Sequence, residues 1–282
     1  MPEPFLYDSL GKPFIELPTV DSTNNYALRQ LHEGLAHHGT AYFAHEQVSG
    51  KGQRGKSWVS EMDASLILSI VFNPQPLKLR QQFQLSACVA ISVCEFFRKY
   101  AGEATRIKWP NDLYWHDRKA GGILIENIIG TRRPKETGYV LSVPGGLAGN
   151  NQQATNWLWA VAGVGININQ TIFPEELKNP VSLKQITGKH FNPVELAKDL
   201  CFFINKNFNH LITSGFKDIY ASYLSHLYKL NETVKLKKDN RIFEAVIKSI
   251  SPEGELIVQH AVEEEFGFGE IEWLIPAGTP EK

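Results

Sequence analysis

The sequence predicts an α+β fold built on a mixed sheet, followed by a small β-rich C-terminal unit. Three observations predict it. Helical and strand patterns follow one another along residues 1–230 without the regular strand–helix–strand alternation of a doubly wound sheet. From Thr233 onward the pattern changes to short strand-like runs, Thr233–Lys237, Ile242–Ile250, Glu255–Gln259 and Glu265–Leu274. They are separated by turn signals at Asp239-Asn240, Pro252-Glu253-Gly254 and Gly267/Gly269. Finally, 43% hydrophobic and 21% charged residues over 282 positions match soluble globular proteins, so the chain can bury a sizeable core. A domain boundary is expected near Leu230, giving units 1–230 and 231–282.

Residues 1–20 hold several prolines and read as an extended lead-in. Asp21-Ser22-Thr23-Asn24-Asn25 is a cluster of helix-capping residues ahead of Tyr26–Leu31, a helix that Gly34 stops. Ala41–Glu46 reads as a strand, Gly50–Lys56 as a loop and Ser65–Phe72 (SLILSIVF) as a buried strand. Between Leu79 and Tyr100 a helical period gathers Leu85, Cys88, Val89, Val93 and Phe96. Arg106–Trp109 is a short strand stopped by the turn Pro110-Asn111-Asp112. Gly121–Asn127 and Trp157–Val164 are further strands. Ile128–Asn156 between them, rich in Gly, Pro, Asn and Gln, reads as a long surface excursion. Helices over Pro193–Ile212 and Phe216–Leu227 complete the larger unit.

Composition excludes several classes. With 29 Lys plus Arg against 30 Asp plus Glu, the net charge of −1 lacks the basic excess of a non-specific nucleic-acid binder. Three cysteines with no C-x-x-C pair exclude a disulfide scaffold and a thiolate zinc site as main themes. Cys88 and Cys94, inside one apolar helical pattern, are expected to be buried and structural. The N-terminus has neither a basic nor an apolar signal region. No apolar run approaches the ~20 residues that a bilayer span needs. A cytoplasmic, soluble protein is expected, with no membrane partner.

Four local features carry chemistry, and each has a plain structural reading beside it. Gly50-Lys51-Gly52-Gln53-Arg54-Gly55-Lys56 can wrap an anion with glycine N–H groups and basic side chains, or be a surface hairpin. It lacks the spacing of a phosphate-binding P-loop. Lys108-Trp109-Pro110-Asn111-Asp112 puts a cation, an amide and a carboxylate on one rigid turn, or is simply a turn. In Arg118-Lys119-Ala120-Gly121-Gly122-Ile123-Leu124-Ile125-Glu126, two glycines beside Lys119 permit close approach of a ligand or another backbone. Gly163-Val164-Gly165-Ile166-Asn167 ends a buried strand in G-x-G, short of a dinucleotide fingerprint.

Taken in order, D-S-T-N, E-Q-x-x-G-K-G-Q-R-G-x-x-W, K-W-P-N-D, R-K-x-G-G-I-L-I-E and G-x-G-I-N resemble the biotin–protein ligases, also called biotin–[acetyl-CoA-carboxylase] ligases. The motifs are strong from Ser22 to Asn169. The β-rich tail more weakly resembles that family's SH3-like C-terminal β-barrel. The resemblance implies a ligase that joins the biotin carboxylate to AMP from ATP and then passes biotin to one lysine of a biotin carboxyl carrier protein, that of acetyl-CoA carboxylase or a related carboxylase. Such a carboxylate, with a pKa near 4.3, is already ionised at neutral pH. The first step therefore needs no base, but it does need cations and preorganised donors to bring two anions together.

By this resemblance Ser22, Thr23, Asn24 and Gln47 bind the biotin ring, with Gly163 and Gly165 nearby. Gly50, Lys51, Gly52, Gln53 and Arg54 cover the adenylate. Lys119 sits between biotin carboxylate and α-phosphate, and Lys119, Lys51 and Arg54 are the implied catalytic residues. Arg54, Trp58, Lys108, Asn111, Asp112 and Asn167 are implied on the ATP side, and Asp112 is also a candidate to assist the acceptor lysine. Mg²⁺ is expected with ATP, though no pattern selects its ligands. The family's loop often reads G-R-G-R-R-G. Here Lys51 keeps the charge but not the bidentate fork, and Gln53 loses the charge. Bifunctional members carry an N-terminal helix-turn-helix domain. Only 21 residues precede Ser22, so a monofunctional ligase without DNA binding is expected. The alternatives are a lipoate–protein ligase or octanoyl transferase, whose R-R-x-x-G-G-G loop is absent, a non-catalytic biotin-binding protein, and a generic nucleotide-binding module. Nothing in the sequence sets the oligomeric state.

Overall fold

The computed structural model describes residues 10–58, 61–130 and 156–274, apart from the Arg54 side chain. In chain order the elements are β1 (Phe14–Val20), α1 (Thr23–His32), β2 (Ala41–Gln47), β3 (Gly50–Lys51), β4 (Ser57–Trp58), β5 (Ser65–Phe72), α2 (Gln82–Ala101), β6 (Thr105–Lys108), β7 (Asp112–Trp115), β8 (Arg118–Gly130), β9 (Asn156–Asn167), α3 (Leu183–Thr187), α4 (Pro193–Ser214), α5 (Lys217–Ser225), β10 (Thr233–Lys238), β11 (Arg241–Ile250), β12 (Leu256–Gln259), β13 (Glu263–Phe266) and β14 (Glu272–Trp273).

Seven strands form one mixed sheet in the order β1-β2-β5-β9-β8-β7-β6. β1 and β2 are parallel, and every other neighbouring pair is antiparallel. The α+β expectation holds, and a second antiparallel sheet, β13-β12-β11-β10-β14, makes a small C-terminal β unit. Among the described residues no helix is long and apolar enough to cross a membrane.

Every residue of β5 is buried, because both faces of the strand are covered. Leu66, Leu68, Ile70 and Phe72 point into the main core with Leu85, Val89 and Val93 of α2 and Leu200, Ile204 and Phe208 of α4. Ile67 and Val71 point the other way, toward Val20, Ala44, Ala27 and Leu31. The period of two repeats in β9, where Ala160, Ala162, Val164 and Ile166 enter the main core. Gly163, Gly165 and Asn167 consequently share the opposite face. Cys88, Cys94 and Cys201 are all buried, and burial pushes the Cys94 and Cys201 thiols up to about 12.

The structure corrects several expectations. Phe14–Val20 is a strand rather than a lead-in. It is an edge strand, and Pro18, which lacks an N–H, falls at the gap in the β1–β2 register between Leu17 and Thr19. Gly50–Lys56 is framed by a two-residue ladder pairing Gly50 with Trp58 and Lys51 with Ser57. β7 follows the Pro110 turn directly, and the short helix α3, capped by Ser182 and Gln185, had no expected counterpart. Glu265–Leu274 is two strands, because a turn at Gly267–Glu270, with Gly269 at φ +93°, divides it. The expected excursion is narrower at both ends: Ile128–Gly130 belongs to β8 and Asn156 to β9. Residues 131–155, like residues 1–9 of the lead-in, lie outside the described residues.

Candidate functional site

The sheet face opposite α2 and α4 forms the floor of a cavity of about 520 Å³. Two cross-strand rows make that floor. Ser69 of β5 pairs with Gly163 of β9, which pairs with Leu124 of β8; Ile67, Gly165 and Gly122 form the next row. The glycines answer a steric demand. A Cβ on Gly163 would lie 2.3 Å from Asn24 Oδ1, and one on Gly165 would lie 2.8 Å from the Trp58 ring.

One end of the cavity is a buried polar chain at the start of α1. Ser22, Thr23, Asn24 and Ser69 are all almost fully buried. The Thr23 N–H, one of the orphan donors of a helix N-terminus, bonds Gln47 Oε1 at 2.7 Å, and the Thr23 hydroxyl reaches the same oxygen at 3.1 Å. The Ser69 hydroxyl lies 2.7 Å from Thr23 Oγ1 and 2.6 Å from Asn24 Oδ1. Asn24 Nδ2 donates to Glu126 Oε2 at 2.8 Å and to the Leu124 carbonyl at 3.3 Å. Glu126 also lies 3.7 Å from Lys51 Nζ, so the chain runs from Gln47 to the basic loop. Ser22, the N-cap residue, makes no side-chain cap bond, and it lines the cavity.

The other end is cationic. Lys119 Nζ forms an ion pair with Asp112 Oδ1 at 2.6 Å. Its backbone is clamped, since the Lys119 N–H donates to the Asn179 carbonyl and the Lys119 carbonyl accepts from the Val181 N–H. Asn167, expected beside the nucleotide, donates its amide to the Val181 carbonyl at 3.1 Å and the Lys119 carbonyl at 3.4 Å. Its side chain therefore braces Lys119 while it also lines the cavity. Lys108 is 9% exposed, with its ammonium 5.6 Å from the Tyr114 ring centre and 5.1 Å from that of Trp273. Burial lowers its pKa to about 8; Asp112 opposes the shift, and Lys119 and Lys56 add to it.

The loop closes the top. Gln53 Nε2 donates to the Ile123 carbonyl at 3.4 Å, and Asn111 Nδ2 donates to the same oxygen at 2.5 Å. Gln53 thus replaces a charge with a neutral tether to β8. Gly52 N–H bonds the Lys56 carbonyl, while Gly50 is packed against Gln47 and Trp58. The Trp58 indole N–H, buried over Gly165, has no protein partner among the described residues. Arg54 sits in the helical turn Gln53–Gly55, and its side chain lies outside the described residues.

Thus Ser22, Thr23, Asn24, Gln47, Lys51, Gly52, Gln53, Trp58, Lys108, Asn111, Asp112, Lys119, Gly163, Gly165 and Asn167 all line one cavity. Gly50 instead lines a second cavity, which shares Gln47, Lys51, Gly52 and Trp58 with the first. The sequence reading missed Ser69, Glu126, Tyr114 and Trp273. A serine in the middle of SLILSIVF was the available signal for Ser69; Glu126 closed a quoted motif. Nothing local marked Trp273.

The model of the biotin/lipoate A/B protein ligase family matches residues 16–141. A biotin–[acetyl-CoA-carboxylase] ligase of Paracoccus denitrificans is 30% identical over 252 residues, 86% of this chain and 92% of that protein. The chain belongs to the biotin/lipoate protein ligase family. It is a ligase, as the relatives it matches over most of their length are. A bifunctional ligase/repressor of Bacillus spizizenii is 26% identical over 253 residues, 89% of this chain and 70% of that one. Among solved structures, the biotin protein ligase of Aquifex aeolicus in complex with biotin and ATP superposes with a TM-score of 0.69 at 26% identity, covering 92% of this chain and 97% of that one.

Proposed function

We propose that the chain activates biotin with ATP as biotinyl-5′-AMP, releasing pyrophosphate, and transfers biotin to a lysine of a biotin carboxyl carrier protein, that of acetyl-CoA carboxylase or a related carboxylase. The carrying observation is the polarity of the cavity. A buried set of amide and hydroxyl groups stands at one end, and Lys108 and Lys119 stand at the other. A ureido ring is polar on both sides and needs fixed partners when it is buried. Thr23, Asn24 and Gln47, locked by Ser69 and Glu126, are such partners. A carboxylate and an α-phosphate repel each other, and Lys119, braced at its backbone, offsets that repulsion where it rises. Trp58 on Gly165 offers a flat apolar face for adenine with an indole N–H beside it. The loop from Gly50 to Trp58 shields a mixed anhydride from water.

The sequence similarity to the Paracoccus ligase and the fold shared with the biotin- and ATP-bound Aquifex enzyme support this reading. Mg²⁺ is proposed to arrive with ATP. Among the described residues no three His, Cys, Asp or Glu side chains gather to hold a metal, so the ion would be carried mainly by phosphate oxygens and water. The proposal assigns catalysis to residues 1–230, a supporting β unit to 231–282, and a cytoplasmic location.

The test is ATP–pyrophosphate exchange with biotin, lipoate and octanoate in parallel. Exchange dependent on biotin alone is expected. Exchange with lipoate or octanoate but not biotin refutes the proposal.

A further inference from the structure

The second half-reaction needs a proton acceptor. An acceptor lysine carries a proton up to a pKa near 10.4 and attacks only once it has lost it. Asp112 is the obvious carboxylate, but its Oδ1 lies 2.6 Å from the Lys119 ammonium. Lys108 presents a different environment. Its side chain is buried at the floor of the cavity, between the Tyr114 ring and the Trp273 ring of the C-terminal β unit. Among the described residues it has no carboxylate within 4.0 Å. The charged groups that face it are Asp112 of β7, Lys119 of β8 and Lys56 of the covering loop, and two of the three are cations. Burial away from water and the two facing lysines weaken the hold of Lys108 on its proton, against the opposing pull of Asp112.

We propose that Lys108, held dry by Trp273, is the base that deprotonates the acceptor lysine. The inference rests on the biotin-ligase reading above and extends it to the transfer step. Neutral Lys108 takes one proton from the arriving ammonium. The amine nitrogen then bonds to the biotinyl carboxyl carbon. The bond from that carbon to the phosphate oxygen breaks, its electron pair leaves on AMP, and the second proton of the nitrogen passes to water. Burial makes the exchange possible at neutral pH. With its pKa lowered to about 8, Lys108 is about one-quarter neutral at pH 7.5; at the ordinary lysine value of about 10.4 that fraction is roughly 0.1%. Trp273 comes from β14, which pairs with β10, so the small β unit reaches into the chemistry of the first sheet. Trp273 is therefore a positioning residue, and Lys108 a catalytic one.

The experiment separates the two half-reactions in the full-length protein. Adenylation is read as ATP–pyrophosphate exchange with biotin. Transfer is read as single-turnover biotinylation of a carrier domain from added biotinyl-AMP, between pH 6.5 and 10. Wild-type transfer is expected to rise through an inflection near 8. Lys108→Arg keeps the positive charge but cannot deprotonate. It should lower transfer by about 10²–10⁴-fold more than it lowers adenylation, and lose the inflection. Trp273→Ala, at the surface end of a two-residue strand, should keep the fold and move the inflection upward. An equal fall of both half-reactions in Lys108→Arg, or an inflection that stays in place in Trp273→Ala, overturns the proposal and leaves Lys108 as a charge only. Biotin-independent exchange in the wild type would instead remove the ligase reading, and this inference with it.

Discussion

Ser69→Ala removes one oxygen from a site that water does not reach, which makes its consequence calculable. The hydroxyl lies 2.6 Å from Asn24 Oδ1 and 2.7 Å from Thr23 Oγ1. A serine donates only one proton, and the shorter contact, to the amide oxygen, is the one that matters. Thr23 keeps Gln47 in the variant, but Asn24 Oδ1 loses its donor. A buried acceptor without a partner costs about 1–3 kcal/mol. For a catalytic unit of this size each kcal/mol moves Tm by about 2–4 °C, so a loss of about 2–12 °C is expected. Asn24 then turns to find a partner and presents the wrong edge to the ligand. The loss of one oriented hydrogen bond should weaken biotin about 3- to 10-fold. Gly163→Ala attacks the same amide from below, with its Cβ 2.3 Å from Oδ1. Because both variants act through Asn24, the double variant should be less than additive. Thermal unfolding and calorimetric biotin titration without ATP measure both effects. A Tm within 1 °C of wild type together with unchanged biotin affinity, or strict additivity with Gly163→Ala, refutes the role given to Ser69.

Three further outcomes are expected. Lys119→Ala should fold normally, because its ammonium is partly exposed, yet slow pyrophosphate exchange by a factor on the order of 10²–10³; undiminished exchange by the folded variant would remove Lys119 from the reaction. Gly165→Ala drives a methyl to 2.8 Å from the Trp58 ring, so ATP affinity should fall while biotin affinity in the absence of ATP holds; the reverse pattern would take Trp58 off the nucleotide side. Gln53→Arg adds a cation to the covering loop and should slow escape of biotinyl-AMP into solution, measured as free adenylate after rapid filtration; equal or faster escape would show that charge does not hold the loop closed.

The elements that were legible in the sequence are those whose pattern is local. SLILSIVF reads as a strand buried on both sides because eight apolar or small residues leave no polar face, and it is one. The apolar period from Leu79 to Tyr100 and the long helix from Pro193 are likewise visible, since helix periodicity involves residues only a few positions apart. β1 escaped because its alternation is interrupted by Pro18, and only its place at a sheet edge makes that proline tolerable. The glycines of G-x-G read in the sequence only as the end of a buried strand, short of a dinucleotide fingerprint. That Gly163 makes room for an amide and Gly165 for an indole depends on which side chains cross above them.

By itself the sequence set the order of the motifs, and the resemblance of that order to the biotin–protein ligases implied which residues belong to one site: S-T-N and Gln47, the glycine loop, Lys108, Asp112 and Lys119. Ordered motifs are local, and the chain carries them directly. Only the tertiary structure decided what state each group is in. Asn24 is oriented by Ser69 and Glu126, which lie 45 and 102 residues away. Asn167 braces Lys119 from across the sheet. Lys108 is dry because Trp273 lies over it, and no window along the chain contains both. The physical reason is that hydrogen-bond satisfaction and desolvation belong to the space around a group. That space is filled by residues remote in sequence and exists only once the two sheets have packed together.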